Sequence, residues 1–77
     1  MEIPENVIEG LLSTLCVDLG FCLPRNVSNR LIKFPPKTAE RFTKAVVEAE
    51  GFNIVTMEKH LYISVLKEVE NVFEKYQ

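Results

Sequence analysis

Apolar residues recur along the chain at helical spacing, and each recurrence is closed by glycine or proline. Ile8, Leu12, Leu15 and Leu19 follow a 4-3-4 step, widened by Val7, Leu11 and Cys16. That stripe predicts an amphipathic helix over residues 4–19. Pro4 suits a first turn, where a missing N–H costs nothing, and Glu5 and Glu9 lie near the positive end of the helix dipole. Gly10 inside the helix costs about 1 kcal/mol against alanine, and close approach of another backbone is the expected reason for it.

Val27, Leu31 and Phe34 sit at i, i+4 and i+7. They predict a short second helix over residues 24–34 with one buried face. Pro35-Pro36 closes it, because the residue before a proline is pushed out of the helical region. Ala39, Phe42, Val46 and Ala49, with Ala45 beside them, mark a third helix, opened by Pro36 or capped by Thr38 and running to residue 50. A fourth and longest helix is predicted from a Thr56 cap to about residue 76. It carries two apolar seams: Leu61, Val65, Val69, Val72 and Tyr76 on one, and Tyr62, Leu66 and Phe73 on the next.

Two helix endings share a Gly-Phe pair, Gly20-Phe21 and Gly51-Phe52. Glycine reaches positive φ without a Cβ penalty and so suits the left-handed residue that ends a helix. In a Schellman ending the residue after it packs back on the last turn. Phe21 is then expected against Cys16 and Leu15, and Phe52 against Val47 and Val46. The predicted fold is all-α: one domain over residues 1–77, a small four-helix bundle of two helix–Gly-Phe–helix hairpins. The last helix is expected to be longest and central.

Composition sharpens this picture in one respect. Hydrophobic residues make up 47% of a chain of only 77 residues. A domain of this size buries only about 60–65% of the surface its unfolded chain exposes. Either the core is well filled or some apolar surface is kept for a partner or a second copy, and in the second case the seam of Tyr62, Leu66 and Phe73 is the candidate dimer face. No window approaches the roughly 18 uninterrupted apolar residues of a membrane span. The acidic start, Met1-Glu2-Ile3-Pro4-Glu5, lacks the basic region of a secretory signal. A cytoplasmic protein with reduced thiols is expected, and no membrane partner.

Charge is unevenly placed. Residues 24–44 carry six basic side chains against one acid, Glu40, a net +5. The remainder carries three lysines against ten acids, a net −7, which together make the total of −2. The plain consequence is pairing of the basic middle with the acidic ends, each exposed pair contributing under about 1 kcal/mol. The sharper one is a docking face of Arg30, Lys33, Lys37, Arg41 and Lys44 for an acidic protein or for phosphates. Nucleic acid is disfavoured as the partner. The overall charge is negative, the turn before the third helix lacks glycine, and that helix offers few amide side chains to read bases.

Catalytic chemistry finds no constellation. Five residues separate Cys16 from Cys22, which fits neither a zinc motif nor a Cys-x-x-Cys redox turn. Two small buried thiols are the expected state. The chain reversal at Gly20 brings a redox pair within reach as the alternative. His60 has no serine or cysteine to pair with, and the three glycines are isolated, so no phosphate loop is present. No catalytic residue, cofactor or metal is expected. The sequence points to a small protein–protein interaction or regulatory module without catalytic activity, self-associating or bound to another protein. A nucleic-acid-associated regulator using the basic face of the second and third helices is the alternative.

Overall fold

The computed structural model describes residues 3–76, so Met1, Glu2 and Gln77 lie outside it. Four helices follow one another: α1 (Glu5–Leu19), α2 (Arg25–Lys33), α3 (Ala39–Ala49) and α4 (Lys59–Lys75). There is no strand among the described residues. The all-α prediction and the order of the elements hold.

Helix starts follow the local chemistry of the residues before them. Pro4 stands as the N-cap of α1, and its carbonyl accepts from the N–H groups of Val7 (3.0 Å) and Ile8 (3.2 Å). Pro24 does the same for α2, accepting from Ser28 at 2.9 Å. Thr38 caps α3 in the ordinary way: its Oγ1 accepts from the Arg41 N–H at 3.2 Å, satisfying one orphan donor of the first turn. Thr56 does not cap α4. That helix begins after Glu58, which supplies no side-chain bond. Asn53 governs the preceding loop instead. Its Oδ1 accepts from Val55 N–H at 2.9 Å, and its carbonyl from Thr56 N–H at 3.1 Å and Met57 N–H at 2.9 Å. An asparagine folding onto its own following backbone competes with a helix start, and here it delays one.

Packing is sequential within hairpins and joined across the middle. α1 lies against α2, α3 against α4, and α1 against α4. The centre is therefore the α1–α4 pair, not α4 alone. α4 is the longest helix, at 17 residues, but it shares the inner position with α1. Ile8, Leu11, Leu12 and Leu15 meet Phe42, Val46, Val47, Val65 and Val69 in one core. The apolar step read along each helix is what turns these side chains to a common interior. Phe42 and Phe73 pack edge to face, centroids 5.7 Å apart, across the α3–α4 contact. Phe73, at 4% exposed, is thus a core residue and not part of an open seam. Thr43 is fully buried among these hydrophobes, and its hydroxyl donates to the Ala39 carbonyl at 2.8 Å, so burial leaves no polar atom unpaired.

Two expectations fail, the first for a reason that lies in the backbone. Spacing makes Phe34 the third member of the buried face of α2, yet it is 78% exposed. It sits at the C-cap with φ −132°, outside helical register, because Pro35 excludes the helical conformation from the residue before it. Gly10 has nothing within 4 Å of the Cβ it lacks, so no neighbouring backbone explains it.

Candidate docking cleft and the paired thiols

The break at Phe34 creates a cleft. The end of α2 and the Phe34-Pro35-Pro36 linker stand away from the start of α1 and the end of α4, enclosing about 680 Å³. Ile32, Phe34 and the two prolines form one wall, and Ile3 with Phe73 and Tyr76 forms the opposite side. The volume lies in the range of pockets that hold small ligands or side-chain anchors. Pro35 and Pro36 fix their own φ and hold the linker rigid, so the wall does not collapse onto the floor.

Lys33 and Lys37 line this cleft, with Glu5 facing them from α1. Of the five residues of the basic docking face, these two converge on a concave surface of mixed apolar and polar character. Arg30, Arg41 and Lys44 are exposed but do not line it. The expected pairing of the basic middle with the acidic ends does not occur at contact distance among the described residues. Among the described residues the single ionic contact under 4 Å joins His60 Nδ1 to Glu58 Oε1 at 3.5 Å, both exposed. The basic side chains project into solvent where an outside acid can meet them.

The candidate dimer seam divides. Tyr62 and Leu66 are half-buried, while Phe73 turns inward on Phe42. Ile63, between the two seams in sequence, is 42% exposed and was in neither.

Cys16 and Cys22 are joined in a disulfide, which corrects the expectation of two free, buried thiols. Cys16 is half-buried in the last turn of α1, and Cys22 is exposed beyond Gly20. The chain reversal at Gly20 carries one sulfur back over the other, and that reversal was the one sequence signal for pairing. The sulfurs border a second, open cleft of about 390 Å³ between α1 and α2, lined also by Glu9, Arg25, Ser28 and Asn29.

Around that link the helix ending takes an unexpected form. Gly20 has φ +79° and its N–H donates to the Cys16 carbonyl at 3.1 Å, while the Phe21 N–H reaches back to Leu15 at 3.0 Å. Gly51, at φ +87°, makes the Schellman pair proper: its N–H donates to Glu48 and that of Phe52 to Val47, each at 3.0 Å. The two phenylalanines then meet each other, ring centroids 5.5 Å apart, and tie the two hairpin loops together.

No group of three or more His, Cys, Asp or Glu side chains placed to hold a metal occurs among the described residues. No helix among the described residues is long and apolar enough to cross a membrane. Compared with protein families, with curated proteins and with solved structures, the chain matches none of them.

Proposed function

We propose that the protein is a small, non-catalytic interaction module that seats an acidic, apolar segment of a protein partner in the cleft beside Phe34. The observation that carries this reading is the coincidence of three features at one place. Phe34 stands 78% exposed, it shares a cleft with Ile32, Pro35 and Pro36, and Lys33 and Lys37 line the same cleft. An exposed aromatic anchor at the edge of a pocket is the usual material of an interface hot spot, and a basic rim selects acidic partners. The module works in the cytoplasm on this reading, where an exposed disulfide is opened and closed rather than permanently shut.

Selection of random peptides displayed on phage tests the proposal. Sequences that combine an aliphatic or aromatic anchor with neighbouring Asp or Glu should be enriched, and Lys33→Glu/Lys37→Glu should lose them by tenfold or more. Selected peptides that bind this double variant equally well would sink the cleft as the docking site.

A second reading, self-association through α4, is supported by Ile63 at 42% exposure next to half-buried Tyr62 and Leu66. Sedimentation at micromolar concentration separates the two: a clean monomer removes the dimer and leaves the cleft. The nucleic-acid alternative keeps five exposed basic residues in its favour, but only Lys33 and Lys37 among them meet at one concave surface.

A further inference from the structure

The Cys16–Cys22 bond closes a six-residue separation around Gly20, at the place where the chain leaves α1 and Phe21 enters the core. Cys22 is exposed, and both cysteines line an open cleft through which a small molecule can approach the bond. This cleft of about 390 Å³ is lined by an acid from α1, Glu9, and a base from α2, Arg25, together with Ser28 and Asn29 of α2. A cleft of that size admits a small molecule. Its charge layout suits one that carries both a carboxylate and an ammonium group: Arg25 would take the first and Glu9 the second.

We propose that this cleft is a thiol–disulfide exchange site for a small zwitterionic thiol of the glutathione class, and that exchange there unclasps the Phe21 turn. The thiolate sulfur of the incoming molecule attacks Sγ of Cys22. A new S–S bond forms to it as the Cys16–Cys22 bond breaks, and the electron pair leaves on Sγ of Cys16, which takes a proton from water. A second molecule of the thiol attacks the sulfur of the first, releasing the small disulfide and leaving Cys22 as a thiol. Two small thiols are oxidised and one protein disulfide is reduced, so electrons balance. The intermediate with the small thiol bound to Cys22 is itself a reversible modification of the protein.

Opening acts on one hairpin only. Phe21 is held by its N–H bond to Leu15, by the core and by Phe52, and the covalent link spans the same turn. Phe52 leaves its helix with no such link. The site shares only Ile32 with the cleft beside Phe34, and none of the charged, aromatic or cysteine residues that carry either reading, so the two proposals stand or fall separately.

The experiment measures the rate of disulfide opening in the whole protein, by alkylation and intact mass, with glutathione and with the uncharged 2-mercaptoethanol. Opening by millimolar glutathione through a glutathione-bearing intermediate is expected. The ratio of the two rates should fall by about threefold in Arg25→Ala and again in Glu9→Gln, the scale of one exposed ion pair each. Both side chains are exposed, and far-UV circular dichroism verifies that the variants keep their helices. A disulfide that stays closed, or a rate ratio unchanged by both substitutions, overturns the site. Amide hydrogen exchange reads the consequence: opening should remove protection at Phe21 and leave Phe52 as it was. Unchanged protection at Phe21 overturns the coupling to the turn.

Discussion

At Gly51 the chain leaves α3 through the two short-range hydrogen bonds of a Schellman turn, and Phe52 remains 42% exposed. At Gly20 the same dipeptide leaves α1 differently: Phe21 reaches back to Leu15, a disulfide spans the turn, and the ring is only 2% exposed. The two glycines do the same work, adopting a left-handed conformation with open space where a Cβ would stand. The two phenylalanines do not. One is a core residue held by a covalent clasp, and the other is a lid lying partly on it at 5.5 Å. A shared sequence signal for ending a helix thus carries no information about how deeply the following side chain is buried.

Truncating the rings should separate them most widely. Phe21→Ala is expected to lower the unfolding free energy by about 3–5 kcal/mol, as for other buried phenylalanines. Phe52→Ala should cost only about 1 kcal/mol, the scale of a partly exposed aromatic contact. Urea denaturation followed by circular dichroism measures both, and equal losses would erase the distinction between plug and lid. Valine at the glycines sharpens the other half of the comparison. Gly20→Val and Gly51→Val should each destabilise by roughly 1–2 kcal/mol, the backbone cost of forcing a side chain into the left-handed region. Since neither position has a neighbour within 4 Å, the two losses should agree. A melting midpoint unchanged at either site would show that its positive φ is not required. The smallest effect is expected at a glycine with no such duty: Gly10→Ala should stabilise α1 by about 0.5–1 kcal/mol, because the helix interior gains propensity and nothing stands in the way. A loss there instead would reveal a demand on Gly10 that its surroundings do not display.

Much of the fold was legible because it rests on local rules. The stripe of Ile8, Leu12 and Leu15, the cap at Thr38 and the stops at Gly20 and Gly51 each follow from side-chain spacing or backbone freedom within a few residues. The start of α4 was misplaced because a weak signal, Thr56, lay beside a stronger one, the Asn53 turn. The cleft was half legible. Lys33 and Lys37 stood out by charge, but Phe34 was assigned to the core by its spacing, although the proline after it argued for release from the helix. The pairing of Cys16 with Cys22 fell between readings for a similar reason: spacing motifs describe metal and redox turns, and a link across a helix ending matches none of them.

By itself the sequence determined four helices, their order and where three of them begin, since periodicity, capping and proline sterics act along the chain. Only the tertiary structure decided which apolar residues the core would take. Phe21 and Phe73 were drawn in, as was the polar Thr43, while Phe34, Ile63 and Phe52 were left exposed. The cause is geometric. A helix face is a property of one segment, but burial depends on which other segment lies across from it, and that is settled by the packing of α1 against α4.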